Sequence, residues 1–169
     1  MRLLIIFIFL LSNSYANEVI DIKNLVINKE AKKYDGITFL DEKNKKIDLK
    51  DYQGNLILLN FWATWCAPCK EEMPSLDLLQ ANENLSNLII FPINIGQDNI
   101  DKAKIFYEEI EIQNLRLYFD SPITLAKKFS LRGLPTSILI NKEGLEFARI
   151  IGSIDFQEKE FVRWLSSYN

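Results

Sequence analysis

Cys66 and Cys69 are the only two cysteines in this chain of 169 residues. Two residues between them is the spacing of a dithiol that opens and closes as a disulfide. A purely structural staple is the plainer alternative. A loop this short, however, removes only about 2 kcal/mol of unfolded-state entropy, less than a 15-residue loop would. A structural zinc site wants four Cys or His ligands, and the chain has two Cys and no His. The pair therefore reads as redox-active, with no metal and no cofactor beyond the Cys66–Cys69 disulfide itself.

The elements that must position the pair flank it directly. Leu56 to Trp62 is an apolar run with the length of a fully buried strand, broken at Thr64-Trp65. From Ala67 to about Leu85, Met73, Leu76 and Leu79 fall on one stripe and predict a helix. The cysteines thus sit where a strand hands over to a helix, on the same side of its first turn. Unpaired N–H groups and the positive dipole end there would stabilise a Cys66 thiolate. Pro68 suits a turn that needs no N–H from it. Cys66 is expected to be the exposed attacking thiol and Cys69 the resolving thiol one turn deeper.

Residues 1–16 have the form of a secretory signal: Arg2, an apolar run from Leu3 to Leu11, then Ser14-Tyr15-Ala16. Nine apolar residues fall far short of the roughly 20 that span a bilayer, so export to the periplasm is expected, with an uncleaved N-terminal anchor as the alternative. Residues 17–35 read as a polar lead-in and 36–169 as one domain. The net charge of −3 and the scattered lysines offer no basic face for nucleic acid.

Within the domain, 37–40 and 46–49 predict a hairpin, followed by a turn at Asp51–Gly54. A strand is expected over 87–95, though Pro92 inside it predicts a bulge or a lost section. Asp98 reads as the cap of a helix to about 111, followed by a strand over 115–119. Ser121-Pro122 predicts the start of a helix to about 129. Strands over 137–141 and 145–151 bracket a turn at 142–144. Asp155 and Glu158 have capping-box spacing for a last helix bearing Phe161, Trp164, Leu165 and Tyr168. This order gives an α/β fold, one mixed sheet flanked by helices.

Phe61-Trp62-Ala63-Thr64-Trp65-Cys66-Ala67-Pro68-Cys69, with Pro74 in the helix, resembles the active site of the thioredoxin superfamily. Arg132-Gly133-Leu134-Pro135-Thr136 resembles that superfamily's cis-proline loop. The N-terminal hairpin, the central helix-strand insertion and the signal segment resemble the TlpA/ResA-like branch, exported thiol-disulfide oxidoreductases that include reductases of apocytochrome c. The resemblance implies a thioredoxin-like fold over about 36–168 and a protein disulfide or thiol as substrate. It also implies an upstream membrane thiol reductant, and a substrate surface made by Trp65, Leu134, Pro135 and Thr136. Thioredoxins carry a buried Asp six residues before the first cysteine; here Asn60 stands there and cannot titrate. Glu72 matches a glutamate of the TlpA/ResA-like branch. The helix period puts it under Cys69, with Glu71 about 100° away, so Glu72 is the expected acid-base group, its pKa raised by burial.

Two other functions compete. A peroxiredoxin-like thiol peroxidase shares the fold and a Thr before the cysteine, but places a Pro earlier, where this chain has Leu58-Leu59-Asn60. A non-catalytic copper-binding module would need His or further soft ligands.

Overall fold

The computed structural model describes residues 21–169; the expected signal segment, residues 1–16, lies outside them. The strands are β1 (Leu25–Lys33), β2 (Thr38–Asp41), β3 (Lys46–Asp48), β4 (Leu56–Trp62), β5 (Leu88–Asn94), β6 (Tyr118–Phe119), β7 (Thr136–Ile140) and β8 (Leu145–Ile151). The helices are α1 (Ala67–Gln80), α2 (Ile100–Glu109), α3 (Leu125–Lys128) and α4 (Lys159–Ser166). The strands form one mixed sheet in the order β1-β8-β7-β4-β5-β6-β2-β3.

β4 lies near the middle of the sheet, parallel to β5 and antiparallel to β7, and all seven of its residues are buried. Side chains alternate across a strand, so Leu56, Leu58 and Trp62 join the core under α1, α2 and α4. Ile57, Leu59 and Phe61 join the opposite core, with Phe39, Leu125 and Phe129. Asn60, by the same alternation, faces the α1 layer.

Several sequence expectations shift. The lead-in contains β1, an edge strand paired antiparallel to β8. It buries almost nothing, so it lacks the alternation that marks a strand. Pro92 causes no break, since β5 pairs with β4 in register from Leu88 to Asn94. The Ile95 N–H donates to Trp62 on β4, whereas the Ile90 N–H turns the other way to Gln80. Pro92 shares the parity of Ile90, so its missing N–H faces away from β4, beyond the short reach of β6.

The capping predictions shift in the same way. Asn99, not Asp98, caps α2 through the Lys102 N–H. Ser121–Pro122 is a cis bond, and α3 starts only at Leu125, where Asp120 accepts the Thr124 and Leu125 N–H groups. The Asp155–Glu158 capping box does not form; Asp155 accepts from Gln157, and α4 has no side-chain cap. α1 ends at Gln80, and a separate 3-10 turn covers Glu83–Leu85.

Candidate functional site

The turn after β4 delivers Cys66 to the first position outside α1. Cys66 is the helix N-cap, and its sulfur accepts the Cys69 N–H at 3.3 Å. The two cysteines are disulfide-bonded, with Cα atoms 5.3 Å apart. Pro68 sits in the first turn. Cys69 is fully buried. Cys66 is 4 % exposed, not the open thiol that the sequence predicts. Its neighbours Trp65, Ala67 and Pro68 take the surface instead, Trp65 being 68 % exposed. Cys66 nonetheless remains the sulfur nearer the solvent.

A feature that sequence reasoning missed holds this turn. The Asp98 carboxylate accepts the Thr64 N–H at 3.0 Å and the Thr64 hydroxyl at 2.8 Å. Asn94 and Lys102 also donate to it, at 2.9 and 2.7 Å. Burial pushes the Asp98 pKa up, but these donors outweigh it and hold the carboxyl below its ordinary value. Gly96 allows the close approach: a Cβ there would stand 2.6 Å from the Ala63 Cβ. The only signal for Asp98 in the sequence was its capping position, and that pointed to the wrong backbone.

The Leu134–Pro135 bond is cis. Thr136 opens β7 opposite Phe61 on β4, so Pro135 lies beside the strand end that leads to Cys66. Pro135 and Thr136 are buried, and the Thr136 hydroxyl is spent on the Gly133 carbonyl. Of Leu134, Pro135 and Thr136, only Leu134 is partly exposed in this oxidised state.

Glu72 points inward from α1 and is 3 % exposed, whereas Glu71 is exposed. Its Oε1 accepts from Asn60 Nδ2 at 2.8 Å, and its Oε2 accepts from the Ile154 N–H at 3.4 Å. Asn60 Nδ2 also donates to Ser137 Oγ at 3.0 Å. Burial pushes the Glu72 carboxyl up to about 8, the two donors offsetting only part of the desolvation. At neutral pH it is therefore mostly protonated, and among the described residues no cation hydrogen-bonds to it. The arrangement is a dithiol with a buried, proton-carrying carboxyl one helical turn deeper.

A family model described as AhpC/TSA matches residues 27–145. Thiol-disulfide oxidoreductase ResA of Bacillus cereus is 33 % identical over 132 residues, 78 % of this chain and 73 % of that one. The chain belongs to the ResA-like thiol-disulfide oxidoreductases of the AhpC/TSA family. The fold of this ResA-like protein is shared by a DsbF homologue from Corynebacterium diphtheriae, with a TM-score of 0.70 at 20 % identity over 86 % of this chain and 93 % of that one. A secreted thiol-disulfide isomerase from Corynebacterium glutamicum gives 0.69 at 21 % identity, over 87 % and 94 %. Among the described residues of the ResA-like chain, no helix is long and apolar enough to cross a membrane.

Proposed function

We propose that this thiol-disulfide oxidoreductase works as a reductase of protein disulfides outside the cytoplasm. Cys66 is the attacking sulfur, Cys69 the resolving sulfur and Glu72 the group that moves the proton. The observation that carries the direction is the poverty of charge around Cys66. A strong oxidant is one whose reduced form is stabilised. Here a Cys66 thiolate has the α1 N-terminus to stabilise it, while Ala67 and Pro68 bring no cation and Lys70 pairs with Glu109 at 3.2 Å.

In the reducing direction, the Cys66 thiolate attacks a substrate disulfide and expels one substrate sulfur as thiolate. Cys69 gives its proton to the ionised form of Glu72, the minority form at neutral pH, and attacks Cys66. The Cys66–Cys69 bond forms, and the second substrate sulfur leaves with the electron pair. Two electrons pass to the substrate. Recharging runs this backwards, and protonated Glu72 donates to Cys69 as it leaves. Trp65 and Leu134 lend apolar area to the substrate strand, which the backbone of the Leu134–Thr136 loop flanks. The Met1–Ala16 segment supports export to the periplasm, and the family resemblance supports a membrane thiol reductant upstream and apocytochrome c thiols among the substrates.

The test is the reduction potential of the Cys66–Cys69 pair in a glutathione series. The expected value lies near thioredoxin's, about −270 mV, rather than near that of the oxidant DsbA, about −120 mV. A value near −120 mV would reverse the assignment, and rapid peroxide consumption by the reduced protein would favour the peroxidase.

A further inference from the structure

Thr64, Trp65, Lys102, Ile105, Phe106 and Glu109 line a groove of about 270 Å³ beside the cysteine turn. The turn contributes Thr64 and Trp65, and α2 contributes the rest. Trp65 is 68 % exposed and Ile105 is 56 % exposed, while Phe106 is buried. Ile105 breaks the pattern of its helix: Asp101, Lys102, Lys104, Glu108 and Glu109, the other exposed residues of α2, are all charged. A single exposed apolar residue is ordinary on a protein surface. Here two large ones line one groove, and one of them is the residue before Cys66.

The polar side chains of the lining are already engaged. The Thr64 N–H and hydroxyl both donate to Asp98, and Lys102 pairs with the same carboxylate at 2.7 Å. Glu109 pairs with Lys70 at 3.2 Å. The Trp65 indole lies against the β5–α2 turn, where a Cβ at Gly96 would stand 3.2 Å from its Nε1. The groove therefore offers an occupant apolar area, and its charges have partners of their own.

We propose that this groove is a specificity pocket of the exchange reaction, filled by a large apolar side chain next to the substrate's own cysteine. The proposal deepens the reductase reading and rests on it. Its occupant follows from continuity with the reacting sulfur. Cys66 is 4 % exposed, so a substrate sulfur reaches it only by covering the residues around it, Trp65 among them. β4, which leads to Cys66, lies between β7 and β5. β5 runs parallel to β4 and β7 antiparallel, so the end of β5 and the start of β7 both reach the Cys66 end of the sheet. The Leu134–Thr136 loop opens β7 and α2 follows β5, so loop and groove flank the cysteine turn on opposite sides. A polypeptide that passes the loop with its cysteine at Cys66 carries its neighbouring side chains onto Trp65 and Ile105. Burying an apolar group there strengthens binding without touching the sulfur chemistry.

The experiment follows single-turnover reduction of two synthetic peptides by the reduced protein, as a function of peptide concentration. Each peptide is closed by one disulfide, and they differ only in the residues flanking the cysteines, Phe in one and Ser in the other. Wild type should half-saturate at a roughly 10-fold lower concentration of the Phe peptide, with nearly equal limiting rates, as binding shared by ground and transition states requires. Ile105→Asp, at an exposed position, should lose most of that preference by weakening the Phe peptide alone. Leu78 is 57 % exposed on α1, about 18 Å along the helix from Cys66, and Leu78→Asp should keep the preference. If wild type shows no preference, if Ile105→Asp retains it or slows both peptides alike, or if Leu78→Asp loses it equally, the pocket is wrong while the reductase reading stands. If wild type opens neither peptide, the reductase reading fails and the pocket falls with it.

Discussion

Glu72 and Glu146 are 3 % and 0 % exposed and lie against opposite faces of one sheet, yet at neutral pH the first is mostly protonated and the second ionised. Glu146 on β8 has a full set of donors. Arg149 grips both its oxygens at 2.7 and 2.8 Å, Tyr34 donates at 2.8 Å and Asn28 at 3.1 Å. Burial pushes its pKa up, but these donors together hold it below its ordinary value. Glu72 has an amide, a long backbone contact and no cation, so desolvation wins and its pKa rises to about 8. The first is a carboxylate fixed as an ion, pinning β1 and Tyr34 to β8. The second is a carboxyl left free to change its charge, under the only disulfide of the molecule. Partners, not depth, decide which buried acid can do acid-base work.

The contrast breaks most violently on the Glu146 side. Arg149→Met leaves a buried carboxylate without its cation, and removing one member of a buried pair costs about 3–5 kcal/mol. Urea unfolding at pH 7 should show that loss, together with a Glu146 pKa now raised as Glu72's is. A loss under 1 kcal/mol would mean that Tyr34 and Asn28 suffice.

On the Glu72 side the expected change is smaller and opposite in sign. Its folded pKa lies above its unfolded value of about 4.5. Below pH 4.5 both states hold the proton and the group costs nothing. Between pH 4.5 and about 8 the unfolded chain ionises first, so stability drains away as pH rises. The full penalty is on the order of 5 kcal/mol, and it is complete about one pH unit above the folded value of about 8. Glu72→Gln should therefore be the more stable protein at pH 9, by roughly 2–4 kcal/mol after allowing for its altered bond to Asn60, and should show no gain at pH 4. Parallel unfolding curves across that range would show that Glu72 is ionised at no cost.

Much of this pair's setting was readable beforehand, and the unread part has definite causes. The apolar run of β4, the strand-to-helix position of the cysteines and the inward face of Glu72 follow from local periodicity, and the structure reproduces them. The Glu146–Arg149 pair does not follow. Residues three apart on a regular strand face opposite ways. Here Leu139 pairs with Ala148 but Ile140 with Glu146, so a bulge at Phe147 turns Glu146 and Arg149 to one face. Asn28 reaches Glu146 from β1, whose exposed residues carried no strand signal. Asp98 was misread because its position suits a cap, and only the fold brings Thr64 within its reach. Local pattern places the chemistry, while register and long-range contacts decide its partners.

The most direct test of the central claim is the rate at which a dithiol opens the oxidised Cys66–Cys69 bond, normalised to the reductant's thiolate and followed from pH 6 to 10. In the proposed mechanism, protonated Glu72 is the acid that Cys69 needs as it leaves. The wild-type rate should therefore fall by 10- to 100-fold with a midpoint near the Glu72 value of about 8, and Glu72→Gln should be slow and flat throughout. The same midpoint in both proteins would contradict the account, because the proton would then come from somewhere other than Glu72.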